Sequence, residues 1–172
     1  DPLAVLANYA LHSHGSPLVS GDICGRFGLK FAELIGATNQ QPGFVGILSQ
    51  GTSGDSMWMD YSQPARPTDL DAYVKALAED AVRACESIDY QSDITLAMAE
   101  TTLKLNRRTP DGERLKWAHE LAAQVGDRLP RGWSEVYAFE QLRLHENPTA
   151  ELRLQAIRIG DFGITAIPDE VY

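Results

Sequence analysis

The stretch that decides the fold is Phe44-Val45-Gly46-Ile47-Leu48, which runs directly into Ser49-Gln50-Gly51-Thr52-Ser53-Gly54-Asp55. An uninterrupted apolar run bounded by turn residues predicts a central strand that is buried on both faces. The Gly- and Ser-rich residues after it predict a loop. Open α/β folds place their chemistry at this kind of strand-to-loop junction.

Strands and helices alternate on both sides of this central strand. The patterns predict strands over residues 3–11, 44–48 and 94–105, helices over 20–36, 67–88, 109–126 and 134–146, and a final hairpin that turns at Gly160-Asp161. Ser20 or Asp22 is expected to cap the first helix, and Thr68 or Asp69 the second. The order predicts an α/β fold with a mixed β-sheet, helices on both faces and a C-terminal β-hairpin.

The third predicted strand changes its apolar face along its length. The apolar residues first occupy even-numbered positions, at Ile94, Leu96 and Met98. Farther along they occupy odd-numbered positions, at Leu103 and Leu105, which point to the opposite face of a strand. A bulge or a position at the sheet edge would explain the change.

Length and composition favour a globular protein. The 172 residues predict a single domain over 1–172. The contents of 44% hydrophobic and 23% charged residues are those of an ordinary folded chain rather than a disordered one. Because the sequence begins at Asp1-Pro2 without Met and ends at Tyr172 in an apolar stretch, we expect it to be an internal fragment of a longer protein.

Charge and cysteine content narrow the classes of partner. The formal net charge of −9 argues against nucleic acid, since a polyphosphate requires a basic surface. No apolar run approaches the length of a transmembrane helix. Cys24 and Cys85 lack the spacing of a zinc finger, and they do not fix the redox compartment.

Two regions carry candidate chemistry. His12 and His14 are one residue apart, so a strand continued through them would offer a metal two nitrogen ligands from one side; alternatively both lie in a polar loop and bind nothing. Residues 49–56 combine hydroxyls, backbone N–H groups and a carboxylate, which suit a nucleophile and an oxyanion; alternatively the loop is purely structural. The large apolar residues at 57–61 form either a wall for a lipid-like chain or part of the core.

Three blocks resemble one known family. They are Asn8-Tyr9-Ala10-Leu11-His12 with Leu18-Val19-Ser20-Gly21-Asp22, then Phe44 to Gln50 with Gly54-Asp55, and finally Ile157 to Asp161 with Ile164 to Glu170. Together they are similar to the N-terminal catalytic domain of the neutral/alkaline, non-lysosomal ceramidases. In that family they correspond to a strand with a metal-binding His, a strand with a Gly-Asp-Val-Ser-Pro-Asn motif, and a hairpin ending in Pro-Gly-Glu.

The resemblance implies a zinc-dependent amidohydrolase of sphingolipid metabolism, which hydrolyses an N-acyl, ceramide-like amide to a fatty acid and an amine. It makes His12 and Glu170 zinc ligands, with a further His upstream and a Tyr downstream, outside these residues. It also implies that the protein is secreted, periplasmic or membrane-associated.

One departure bears on the mechanism, because the family's catalytic serine falls on Met57. Ser56, Ser53 or zinc-bound water would then attack the carbonyl. We expect catalytic roles for Asp55, which would orient or deprotonate the water, and for the N–H groups near Gly51 and Gly54 at the oxyanion. The alternatives are a hydrolase of a different amide or ester, and a non-catalytic ceramidase-like binding domain.

Overall fold

The computed structural model describes residues 2–12, 19–57, 59–64, 66–67 and 69–171. Where length predicted one domain, the contacts fall into two compact units. The first unit contains the residues up to Asp93 together with those from Asp169 onward, and the second spans Ile94–Pro168. The second unit is therefore an insertion in the sequence of the first.

The first unit alternates strands and helices as predicted. Its elements are β1 (Ala4–Tyr9), α1 (Asp22–Leu34), β2 (Val45–Gln50) and α2 (Leu70–Glu86). β1 and β2 are parallel, with Ala4 opposite Val45 and Tyr9 opposite Gln50. Because the two strands are parallel, their carboxyl ends lie at the same edge of the sheet. Helix α1 is the crossover that connects them.

Helices α1 and α2 form one core with a single face of this sheet. That face carries Val5, Ala7 and Leu48, which pack with a cluster of buried residues from the two helices: Ile23, Phe27, Phe31, Val74 and Ala78. On the opposite face Leu6 and Ile47 are about half exposed, at 53% and 48%. In the described part of this unit, α1 and α2 thus share one face of the sheet instead of covering both.

Two glycines allow α1 to lie directly on β2. A Cβ placed on Gly28 would be 2.6 Å from the carbonyl oxygen of Gly46, and a Cβ on Gly46 would be 2.5 Å from the Cα of Gly28. These contacts are with backbone atoms, which cannot move aside as a flexible side chain would. The helix and the strand therefore cross at a point where neither residue has room for a side chain.

The predicted caps are found at one helix and not at the other. Asp69 caps α2, and its carboxylate accepts a hydrogen bond from the Ala72 N–H at 3.0 Å; Thr68 lies outside the described residues. At α1 the N-cap position belongs to Gly21 rather than to Ser20 or Asp22. The Ser20 hydroxyl accepts from the Asp22 N–H at 2.9 Å, just before the helix.

The second unit pairs an antiparallel sheet with two helices. Its elements are β3 (Leu96–Asn106), α3 (Gly112–Val125), α4 (Trp133–Glu146), β4 (Thr149–Ile159) and β5 (Phe162–Ala166). The strand order is β3-β4-β5, and the predicted hairpin between β4 and β5 is confirmed. The chain is α/β as predicted, but its parallel and antiparallel strands form two separate sheets.

The change of apolar face in β3 occurs without a bulge. β3 and β4 pair one to one from Leu96 opposite Ile159 to Asn106 opposite Thr149. Met98 and Ile157 lie on one face, whereas Leu103 and Leu152 lie on the other. Because β3 is an edge strand, the edge explanation is the one that fits.

Among the described residues, the helices fall short of the length and apolar character that a membrane crossing requires.

Candidate functional site

The candidate site lies where β1 and β2 end. β1 ends at Tyr9 and the chain continues to His12, while β2 ends at Gln50 and continues into residues 51–57, here called the β2 loop. The Gly51 N–H donates to the Tyr9 carbonyl at 2.9 Å, which ties the start of the loop to the end of β1. This is the edge at which the sequence predicted chemistry.

The two predicted zinc ligands come together at this edge. The Nε2 atom of His12 is 3.7 Å from Oε1 of Glu170, although the residues lie near opposite ends of the sequence. Both side chains are about half exposed, at 48% and 49%, so they are open to solvent and to a ligand. Glu170 belongs to the first unit because the chain returns to it at Asp169.

The β2 loop holds the backbone beside both of these residues. The His12 N–H donates to the Ser56 carbonyl at 2.9 Å, and the Gly54 N–H donates to the Val171 carbonyl at 3.1 Å. The loop therefore fixes His12 directly and fixes Glu170 through its neighbour. This one region contains five of the residues predicted for catalysis or metal binding: His12, Gly54, Asp55, Ser56 and Glu170.

The pair of side chains suits two ligands of one zinc ion. With bonds of about 2.1 Å and tetrahedral angles, two ligand atoms of one zinc are roughly 3.4 Å apart. The observed 3.7 Å between Nε2 and Oε1 is close to that spacing. Within the described ranges, no group of three or more His, Cys, Asp or Glu side chains converges on one point. His12 and Glu170 are therefore two candidate ligands, and His14 lies outside the described residues.

The serines of the loop differ in their surroundings. The Ser56 hydroxyl donates to the Thr52 carbonyl at 3.4 Å, and its N–H donates to the Ser53 carbonyl at 3.2 Å, so Ser56 closes a turn of the loop. Ser53 is buried, with 6% of its surface exposed. Asp55 is exposed, and so is Met57 at the family's serine position.

The sequence predicts that N–H groups near Gly51 and Gly54 stabilise an oxyanion. The N–H of Gly51 itself donates to Tyr9 and the N–H of Gly54 donates to Val171, as described above. An N–H has one hydrogen to donate, so in this conformation these two groups hold the β2 loop against the end of β1 and against the residue after Glu170.

Sequence reasoning missed several polar contacts at the same edge. The Gln50 side-chain amide donates to the Leu11 carbonyl. The Asn8 amide donates to the Ser49 hydroxyl at 3.0 Å across the strand pair. These contacts depend on the β1–β2 register, and the only local signal was a polar residue at the end of each apolar strand.

A tyrosine pair adds to the edge. The hydroxyls of Tyr9 and Tyr73 are 3.0 Å apart. Burial, followed by the hydrogen bond with Tyr9, raises the pKa of Tyr73 to about 12. Tyr73 therefore keeps its proton at neutral pH and links the end of β1 to the start of α2.

An apolar cavity of about 200 Å³ lies elsewhere in the unit. Its lining residues include Ala4, at the amino end of β1, together with Phe31 of α1 and Val82 of α2. A strand of this length places the amino end roughly 17 Å from the carboxyl end. The cavity is therefore separate from the edge that carries His12.

Comparisons with protein-family models, with curated proteins and with solved structures found no match to this chain.

Proposed function

We propose that this chain carries part of the active site of a zinc-dependent amidohydrolase that cleaves an N-acyl, ceramide-like amide. The observation that carries the proposal is the 3.7 Å approach of His12 to Glu170 at the carboxyl ends of two parallel strands. The family resemblance, which rests on residue type and order alone, implies the same two residues as ligands.

His12 and Glu170 would hold the metal. One neutral and one anionic ligand leave a zinc ion with net positive charge, which its chemistry requires. When bound, zinc polarises an acyl carbonyl and lowers the pKa of a coordinated water toward about 7. The rest of the mechanism depends on what the side chains of the β2 loop can do.

We favour water over serine as the attacking group. Met57 has no nucleophilic hydroxyl, and the Ser56 hydroxyl donates within its own loop. The exposed Asp55 carboxylate is suited to accept a proton from the water as its oxygen bonds to the acyl carbon. The same carboxyl returns that proton to the departing nitrogen when the C–N bond breaks, so that a carboxylic acid and an amine are formed.

The surroundings of the loop favour an apolar acyl chain. Met57 follows Ser56 directly and is 37% exposed, and Tyr61 is 73% exposed a few residues later. Exposed large apolar side chains near polar groups are typical of binding surfaces for apolar ligands. Trp58 lies outside the described residues, so Met57 and Tyr61 are the two that support a wall for a lipid-like chain.

Zinc titration with matched variants tests the proposal. The titration uses the longer protein that the resemblance implies, because the further ligands would lie outside these residues. There we expect wild type to bind close to one equivalent, and His12→Ala and Glu170→Gln to weaken binding by about 100-fold or more, since loss of a ligand costs at least as much as loss of its support. His119→Ala is the matched control, because His119 is an exposed histidine on α3 in the second unit, and it should bind zinc as wild type does.

An assay panel separates the substrate classes. Cleavage of N-acyl sphingosines supports the ceramidase-like activity, whereas cleavage of short-chain esters alone would replace it with a different hydrolase. If wild type binds no zinc, His12 and Glu170 are an ordinary surface ion pair, and the binding-domain alternative takes precedence.

A further inference from the structure

We infer that Gln50 is a positioning residue for His12, acting through the peptide group that joins Leu11 to His12. The inference rests on the proposed metal-binding function of His12. Gln50 ends the second of the three blocks that carry the family resemblance, but the resemblance assigns it no role, and its side-chain hydrogen bond is to the backbone rather than to a metal ion.

The argument begins with one peptide group. Its carbonyl, that of Leu11, accepts a hydrogen bond from the Gln50 side-chain amide. Its N–H, that of His12, donates to the Ser56 carbonyl at 2.9 Å. Because the peptide group is planar and includes the Cα of His12, holding both polar groups fixes the point from which the imidazole extends.

The side chain of Leu11 holds the same peptide group from within the core. Leu11 is 6% exposed and packs in the apolar cluster with Phe27 and Val74. His12 follows immediately, with its imidazole about half exposed toward Glu170. Packing therefore restrains one side of the peptide group, and Gln50 and Ser56 restrain its polar groups.

Gln50 is suited to this task by its place in the sheet. It is the last residue of β2 and lies opposite Tyr9, the last residue of β1. From there its side chain reaches beyond the strand pair to the residue before His12. A site for a metal needs its ligands held within about 0.5 Å, and the residues that support ligands typically change affinity by about 10–100-fold when lost.

A matched glutamine exists at the opposite end of β1. The Gln40 side-chain amide donates to the Pro2 carbonyl at 2.8 Å, just before the strand begins. Gln40 and Gln50 thus make the same kind of bond to the backbone flanking the same strand. Gln40→Met and Gln50→Met remove equivalent hydrogen bonds, but only the second lies beside His12.

The experiment compares the two variants, each made in the longer protein that the resemblance implies, by two readouts. Cobalt(II) titration, followed by its visible absorption, measures metal affinity and ligand geometry without any assay of activity. Amide hydrogen exchange at His12 measures how firmly its backbone is held in the absence of metal. For Gln50→Met we expect cobalt affinity to fall by about 10–100-fold and exchange at His12 to accelerate, whereas Gln40→Met should leave both within about twofold of wild type.

The outcomes distinguish this inference from the proposed function. If Gln50→Met leaves His12 exchange and cobalt affinity unchanged, or if Gln40→Met alters them equally, Gln50 has no positioning role. If wild type itself binds no cobalt, the proposed function fails, and His12 exchange alone decides whether Gln50 holds that residue.

Discussion

The two units of the chain differ in what their sheets make possible. In the first, parallel strands joined through α1 bring the residues after β1 and after β2 to one edge, where His12 meets Glu170. In the second, the antiparallel strands β3, β4 and β5 end at alternate edges, and none of the predicted site residues belongs to it. The comparison indicates that the parallel crossover, more than any single motif, gathers the candidate chemistry.

The units also differ in their interiors. The first has a core of large side chains from distant parts of the sequence, including Phe27 and Phe31. In the second every residue of β3 is exposed, and the buried apolar residues are the smaller Ala118, Val125 and Ala138 of the helices. We therefore expect the first unit to respond more sharply to changes in packing.

The largest effect is expected where α1 crosses β2. Gly28→Ala places a Cβ 2.6 Å from the backbone carbonyl of Gly46, so helix and strand must separate. Overpacking of this kind costs about 3 kcal/mol of the free energy of unfolding. Urea denaturation, followed by amide signals from each unit, should show the loss in the first unit.

Gly25→Ala is the matched control on the same helix. A Cβ at Gly25 meets none of the described atoms within 4 Å, and alanine favours helix over glycine by about 0.5–1 kcal/mol. We expect this variant to be slightly more stable than wild type. Equal destabilisation by both substitutions would show that the Gly28–Gly46 contact is not what limits the packing.

Removal of a helix cap should cause a smaller loss of stability, and the loss should be the same for one cap in each unit. Asp69 accepts from the Ala72 N–H at 3.0 Å, and Asp111 accepts from the Arg114 N–H at 2.8 Å. Because a cap acts within its own first turn, Asp69→Ala and Asp111→Ala should each cost about 1 kcal/mol of unfolding free energy in urea. The Asn variants keep the acceptor and should stay close to wild type. If Asp69→Ala loses much more unfolding free energy than Asp111→Ala, Asp69 stabilises the first unit by more than capping α2.

Much of the fold is predictable because its signals are local. The apolar run ending at Leu48 specifies a strand, and apolar spacings of three and four residues specify α2. The predicted burial of that strand on both faces is wrong, because β2 belongs to a two-stranded sheet in which Ile47, on the second face, is 48% exposed. The division into two sheets is not predictable in this way, because strand pairing depends on contacts between distant residues. The cap of α1 was mispredicted because Gly21 takes the N-cap position, and the Ser20 hydroxyl bonds to the residue after it.

The candidate site, like the fold, is predictable from sequence only in part. The resemblance identified His12 and Glu170 by residue type and order. The contact of Gln50 with Leu11 is not predictable from sequence, because a bond from a side chain to a backbone carbonyl across the β1–β2 pair leaves no motif. The oxyanion role of Gly54 was inferred from residue type alone, and its N–H instead bonds to the segment that carries Glu170.

The smallest expected effect is the loss of stability of the second unit in acid. The Glu135 carboxylate accepts two bonds from the Arg128 guanidinium, at 2.7 and 2.6 Å, and one from the Arg131 N–H at 2.6 Å. These hydrogen bonds, that of Arg128 first, lower the pKa of Glu135 from its ordinary 4.5 to about 2.

The sign of the effect follows from this lowered pKa. The unfolded chain takes up the proton near pH 4.5 and the folded chain near pH 2, so the contribution of Glu135 is complete above pH 4.5 and is lost as the pH falls to about 2. The stability difference between wild type and Glu135→Gln, followed by the amide signals of α4, should therefore be largest near neutral pH and shrink through this window. Signals from α2 should show no such dependence; an equal change there would mean that the two units do not unfold separately in acid, and a constant difference at α4 would mean that the Arg128 contact is absent in solution.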